Sequence, residues 1–277
     1  MSLKISLIIS TYGRYNEVKL LLDSLVVQDC NLEDFEVIII DQNDVIDLYT
    51  LVAKFEHMLN IVHYKTDVKG LSKAKNKGID LAKGSIITFP DDDCTFYPDT
   101  ISRALNFFEI NPKVDVVYGS VVERSTNTNV MRNWPKEQKK LNLFNFSMRY
   151  SAITCFTKIK IKFNENYGVG AKISSGEELD YVIRAIKKYN VMYSPVVQVW
   201  HPKLDVLSMD NKKIYNYAYG YAAIMRKNCN GILFGVFMSS LIYQFARFFF
   251  SITSANDSKK YLLAIKGRLD GFLLLKK

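Results

Sequence analysis

Cysteine is sparse in this 277-residue chain and never clustered: Cys30, Cys94, Cys155 and Cys229 stand far apart. Without a C-x-x-C pair, neither a zinc ribbon nor a dithiol redox motif is indicated, and reduced thiols are the expectation. The three histidines, His57, His63 and His201, show no H-E-x-x-H spacing, which argues against that class of zinc enzyme. No secretory leader is visible. Residues 1–10 already read as a strand with one lysine, so a cytoplasmic location is expected, at the inner face of the cytoplasmic membrane. Residues 1–200 also lack any surplus of basic charge, with 25 basic and 24 acidic residues. A basic stripe with interleaved aromatics is missing, and no nucleic-acid partner is expected. The net charge of +9 sits instead in residues 201–277, which carry 12 basic and 4 acidic residues. That asymmetry points the C-terminus toward an anionic partner such as a membrane surface.

What the chain does have is a regular alternation. Residues 3–10, 35–41, 61–65, 85–89 and 114–122 are short apolar, β-branched runs. Between them, residues 16–27, 48–59, 71–81 and 98–110 place apolar side chains at helical spacing, as with Val18, Leu21, Leu22 and Leu25. Strands alternating with helices of this length imply parallel pairing in a doubly wound α/β sheet. Residues 123–150 are polar and read as a long loop with room for one short helix, the length typical of lids and recognition segments. Residues 152–161 are strand-like, 177–189 helical, and 191–200 a strand pair broken at Pro195.

From residue 211 onward the pattern is three helices. The second, residues 232–250, is nearly uncharged, and its polar residues Ser240, Gln244, Arg247 and Ser251 fall on one face. A membrane span needs about 20 apolar residues. A packed or interfacial amphipathic helix ranks first, a homo-oligomer contact second and a span third. The final stretch sets Lys259, Lys260, Lys266, Arg268, Lys276 and Lys277 beside Leu262, Leu263, Phe272, Leu273 and Leu274. That is the composition of a helix on a membrane surface, or of an ordinary surface helix with snorkelling lysines. Peripheral membrane contact is therefore expected of residues 231–277.

The most informative motif is Asp91, Asp92 and Asp93, directly after the apolar run of residues 85–90. In open α/β sheets ligands bind beyond the carboxyl ends of the strands. Three adjacent acids repel one another unless a cation or hydrogen-bond donors compensate. Such a site suits Mg²⁺ or Mn²⁺ shared with substrate phosphates; a solvated acidic turn is the alternative. Other strand ends carry matching features: Ser10, Thr11, Tyr12, Gly13 and Arg14 after the first, Asp41, Gln42 and Asn43 after the second, and residues 70–78 after the third.

In this order the segments resemble those of the family 2 glycosyltransferases. The family pattern is strand–S/T-Y/F-N/G-R, strand–D-x-S/N, G-x-s-x-A-R/K-N-x-G and strand–D-D/A-D. Residues 163–170 and 176–184 resemble the F-D/N-E-x-x-G-x-G and G-E-D/E-x-D-x-x-x-R stretch. Residues 199–202 resemble the final strand with its metal-site histidine. The resemblance covers residues 4 to about 202, leaving residues 203–277 as a helical appendage. It implies a GT-A fold, a mixed sheet flanked by helices, and an inverting transferase that uses a nucleotide-diphosphate sugar, UDP-linked by expectation.

The same resemblance implies residue roles. Thr11, Tyr12, Arg14, Asp41, Asn43, Gly70, Lys75, Asp91 and Asp92 would meet the nucleotide sugar, with Asp41 accepting a hydrogen bond from a uracil-type N–H. Lys75 stands where the family usually has arginine, keeping the charge but not the bidentate fork. Asp93, Asp91 and His201 would hold the metal. Glu178 is the foremost candidate for the base that deprotonates the acceptor hydroxyl of a glycan or lipid-linked acceptor, with Glu177 and Asp180 as alternates. Acids in a first helical turn are also good capping without chemistry. A sugar-nucleotide nucleotidyltransferase and a catalytically silent scaffold remain as alternatives. The loop after the first strand, with its single glycine, speaks against the former and the intact acids against the latter. The setting expected from bacterial relatives is surface polysaccharide synthesis.

Overall fold

The computed structural model describes residues 3–203 and 209–273. The chain separates into two compact units. The first comprises residues 1–163 and 184–203 and the second residues 164–183 and 204–277. Segment 164–183 thus groups with the C-terminal helices, whereas the sequence reading divides the chain only at residue 202.

The first unit opens with β1 (Ile5–Thr11), α1 (Asn16–Val26), β2 (Phe35–Asp41), the one-turn α2 (Tyr49–Val52), β3 (Asn60–Lys65) and α3 (Leu71–Leu81). It continues with β4 (Ile86–Thr88), β5 (Thr95–Phe96), α4 (Thr100–Ile110) and β6 (Val116–Glu123). After the short strands β7 (Thr128–Asn129), β8 (Lys139–Lys140) and β9 (Cys155–Thr157), it ends with β10 (Val191–Trp200). The strands form one sheet in the order β3-β2-β1-β4-β9-β6-β10-β5. β1 and β2 are buried almost throughout, because helices cover both faces of a parallel sheet and central strands become continuous apolar runs. α1 buries the four residues its spacing selects, Val18, Leu21, Leu22 and Leu25. α3 sits so close to β1 that a Cβ on Gly78 would strike the Ile8 side chain.

The sheet is mixed, as the GT-A resemblance implies, and not wholly parallel as the alternation alone predicts. β9 runs antiparallel to both β4 and β6. It is reached through an irregular segment and not a crossover helix, so nothing forces it parallel. Three local expectations also change. The helix expected over 48–59 is one regular turn followed by turns, yet Leu48, Leu51, Val52, Phe55 and Leu59 are buried at the helical spacing that the sequence shows. Residues 191–200 form one strand. Its register against β6 shifts between Tyr193 and Gln198, so Pro195 sits in an irregularity where no ladder N–H is required. Segment 123–150 is tied down: Trp134 is buried, stacks on Tyr193 with centroids 6.3 Å apart, and donates its indole N–H to the Val130 carbonyl at 2.8 Å.

The second unit holds the start of α5 (Glu177–Lys188), then α6 (Asn211–Lys227), α7 (Gly231–Phe250) and α8 (Ala255–Leu273). α6 and α8 meet nearly backbone to backbone. A Cβ on Gly267 or Gly271 would collide with the Tyr215 or Tyr219 carbonyl and crowd Ala218 or Ala222. Small residues four apart on each helix permit that approach. α7 buries Leu233, Phe237 and Leu241, and Phe237 stacks on Phe272 at 4.2 Å. Leu274, Lys276 and Lys277, counted in the basic tail, lie outside the described residues.

Candidate active site

In the first unit the strand ends bring the sequence-selected residues into one cluster. A parallel bridge joins Ser10 to Asp91, so the segments after β1 and β4 lie side by side. β5 pairs antiparallel with the end of β10, Thr95 opposite Trp200. That register sets the residue after Trp200 beside the residues before Thr95. One ligand atom each from Asp91, Asp93 and His201 falls within 4.8 Å of the others. His201 Nδ1 lies 2.7 Å from the Pro202 carbonyl and donates to it, while Nε2 faces Asp93 Oδ1 at 3.3 Å. The Pro202 bond fixes the ring and leaves Nε2 as the group directed at the carboxylates.

Arg14 reaches across from the β1 end. Its guanidinium contacts Asp92 Oδ1 at 3.0 Å and also pairs with Asp93. Burial pushes the Asp92 carboxyl up to about 6, against the pull of Arg14. Burial acts the same way on Asp93, but bonds from His201 and Arg14 outweigh it and hold that carboxyl down at about 2. His201 feels the converse: burial disfavours its cation, yet Asp93, the Pro202 carbonyl and Asp91 raise its pKa. Neighbours with such opposed protonation preferences are candidates for a functional site. Two carboxylates and an imidazole form an oxygen-rich donor set with one nitrogen, which fits Mn²⁺ and accommodates Mg²⁺.

Around this cluster the loops are laced together. Asp41, fully buried at the end of β2, accepts from the Asn43 N–H and Asn43 Nδ2, both at 2.8 Å. Its second oxygen meets His63 Nε2 at 3.1 Å and Lys65 Nζ at 3.2 Å. Burial raises the Asp41 pKa, but these bonds more than offset it and leave it lowered. Asn43 Oδ1 takes the Gly13 N–H, and Gln42 Oε1 takes the Gly70 N–H at 2.7 Å. Gly70 adopts φ +129°, which lets the chain enter α3. Tyr12 is exposed, with the Lys69 ammonium 5.0 Å from its ring centroid. Thr11 is buried. Lys75 is buried too, its ammonium 5.2 Å from the Phe163 ring, while Asn76 exchanges two hydrogen bonds with the Phe163 backbone.

His63 is the residue that sequence reasoning passed over. It lies on β3, its ring tilted against that of Tyr49 with centroids 4.5 Å apart. A mid-strand histidine gives no local signal. Only the β2–β3 register, which sets His63 level with Ile39, brings its ring to Asp41.

The three acids proposed for proton transfer open α5 and belong to the second unit. There Asp180 is fully buried and pairs with Lys227 at 3.1 Å, Glu177 is buried and Glu178 is half-buried. Gly168, Gly170 and Gly176, in the loop before them, all take positive φ.

A family model for Glycosyl transferase family 2 matches residues 6–171, a span that contains the ends of β1, β2 and β4 and stops short of His201 and of the acids that open α5. The chain belongs to glycosyl transferase family 2. This glycosyltransferase is 34% identical over 126 residues to the PGL/p-HBAD biosynthesis glycosyltransferase of Mycobacterium bovis, covering 44% of the chain and 48% of that relative. The match spans about half the length of that relative. Among solved structures, S. aureus TarS 1-349 in complex with UDP-GlcNAc aligns over 98% of the chain and 82% of its own, with TM-score 0.69 and 18% identity. The mannosyltransferase PcManGT from Pyrobaculum calidifontis, in complex with GDP-Man and Mn2+, aligns over 100% and 89% with TM-score 0.63 and 13% identity. At these identities the likeness establishes the fold, which is GT-A.

Proposed function

We propose that this glycosyltransferase moves a sugar from a nucleotide-diphosphate donor, UDP-linked, to a hydroxyl of a glycan or lipid-linked acceptor in surface polysaccharide synthesis, with inversion at the anomeric carbon. The observation that carries the reading is the Asp91, Asp93 and His201 cluster at the strand ends, with Arg14 drawn onto its neighbours. The three cluster residues would hold Mn²⁺ or Mg²⁺, and a cation held there supplies Lewis-acid charge to the departing diphosphate.

The chain's own groups account for the rest. Arg14 adds a second positive charge beside the carboxylates, so the site attracts phosphate despite three consecutive acids. Asp41 fixes Asn43, and Asn43 fixes the Gly13 amide, which shapes the loop bearing Tyr12. The exposed Tyr12 ring offers a face for a nucleobase. The acceptor hydroxyl must lose its proton as the new bond forms, and a carboxylate takes it. Glu178 holds that role in the proposal, because it falls on the second acid of the family's acid pair at the start of α5.

Calorimetric titration of UDP-, GDP- and dTDP-sugars, with and without Mn²⁺, tests the reading on the wild type and Asp93→Ala. Metal-dependent binding of UDP-sugars, lost in Asp93→Ala, is expected. Metal-independent binding, or binding unaffected by the substitution, would overturn it.

A further inference from the structure

α7 buries apolar Leu233, Phe237 and Leu241 on the same side as a half-buried polar stripe. Its polar stripe, Ser240, Gln244 and Arg247, turns toward the interior of the second unit: Arg247 bonds the Tyr261 hydroxyl at 2.7 Å, and Gln244 lines a cavity. The opposite face is apolar and uncovered. Ile242 is 64% exposed, Phe249 63% and Phe250 90%, with Phe234 and Phe245 also exposed. A water-facing amphipathic helix shows a polar outer face. A contiguous apolar face left uncovered calls for a surface to cover it. α7 is 20 residues long and contains an 18-residue window with a mean hydropathy of 1.5, of which only 22% is buried. Its inner face packs on helices that carry charges, so it suits the plane of a bilayer surface and not a crossing. On α8 the exposed positions include Lys259 and Lys266 beside Leu262, Leu269 and Leu273, which matches charge to an anionic surface.

The cavity behind α7 points the same way. It measures about 190 Å³ and is bounded by residues of α6, α7 and α8, including Arg247, Lys260, Arg268, Gln244, Tyr221 and Tyr261. At roughly 30 Å³ per water it has room for a phosphate group. Among the described residues, no carboxylate pairs with Arg247, Lys260 or Arg268. Arg268 bonds the Ala264 carbonyl at 3.2 Å, and its guanidinium lies 5.3 Å from the Tyr221 ring centroid. Its Nε is buried with no acceptor among the described residues. Burial lowers the Arg268 pKa. Three cations at one cavity without an acid are costly. An anion with several oxygens relieves the repulsion and accepts from the orphaned Arg268 Nε and its cationic neighbours together.

We propose that this cavity holds the phosphate group of a membrane lipid while the outer face of α7 lies in the bilayer surface. The full-length protein, without nucleotide or metal, is to be floated with three vesicle types: phosphatidylcholine alone, with phosphatidic acid, and with a fatty acid giving equal negative charge. The wild type is expected to prefer phosphatidic acid. Lys260→Gln and Arg268→Gln are expected to bind those vesicles about tenfold more weakly, the loss when one charge-assisted hydrogen bond goes. They should match the wild type on the fatty-acid vesicles, and Arg268→Lys should recover part of the loss. Phe250→Trp places an indole at an exposed position that folding does not depend on. On vesicles its added emission should shift to the blue and be quenched by brominated lipid.

Equal binding to both anionic vesicles by wild type and Arg268→Gln overturns the phosphate site. Calorimetric binding of inorganic phosphate without vesicle binding overturns the lipid as its source. An unshifted emission from Phe250→Trp, or a dimer by light scattering that Phe249→Ser abolishes without any vesicle binding, overturns the bilayer assignment. The fluorescence readout stands even where the arginine variants fail to fold.

Discussion

Replacing Asp41 by asparagine tests how the candidate nucleotide site is held. The carboxylate is fully buried and receives donors from Asn43, His63 and Lys65. The amide oxygen of Asp41→Asn can keep both Asn43 bonds, but its NH₂ then faces the ring nitrogen and the ammonium. The charge-assisted His63 bond is worth about 1.5–3 kcal/mol. Lys65, with 31% of its side chain exposed, turns to water, so its loss adds under about 1 kcal/mol. A destabilisation of about 2–4 kcal/mol is therefore expected in urea unfolding at neutral pH.

The pH dependence carries a sign. The folded Asp41 pKa is lowered, so its stabilisation is complete above the unfolded value and is lost as pH falls through the folded one. The gap between wild type and variant should stay constant from pH 8 to about 5 and shrink below about 4. A gap under about 1 kcal/mol at neutral pH would refute the reasoning. His63 would then be accepting from the amide through its other tautomer, and the charge of Asp41 would not be what orders the loops.

Further outcomes are expected. Glu178→Gln should lower kcat by about 10²–10⁴ while leaving nucleotide-sugar affinity unchanged, measured by steady-state transfer and calorimetry; an unchanged kcat removes Glu178 from the mechanism. Trp134→Ala should cost about 3–5 kcal/mol in denaturant unfolding, because it deletes a buried indole stacked on Tyr193. Gly78→Ala should cost about 1–3 kcal/mol, because its methyl meets the Ile8 side chain between α3 and β1. A melting temperature equal to the wild type would show that this layer has slack.

Much of the first unit was legible because its signals are local. The apolar run of β2 is buried along its whole length and needs no partner to be recognised. The bounds of α3, Leu71–Leu81, follow from Gly70 before it and the spacing of Ala74, Gly78 and Ile79. The aspartates, Arg14 and His201 stood out because strand ends collect on one rim of such a sheet, and ordered motifs there are specific even when each is weak.

Tertiary structure decided whatever depends on which faces meet. Chain alternation could not show that β9 enters antiparallel, since a three-residue strand carries no directional signal. Periodicity over 48–59 pointed to a helix, and burial there keeps that spacing, but regular helix ends after one turn at Val52. The polar stripe of α7 was plain in the sequence, yet a period of 3.6 fixes only that those residues share a side. Whether that side meets water or the interior depends on the partners, and here α6 and α8 claim the polar side. The sequence by itself therefore determined most elements of the first unit, the residues gathered at its strand ends and the family. The tertiary structure decided strand direction, the tie from His63 to Asp41 and the outward face of α7, because each depends on contacts between residues far apart in the chain.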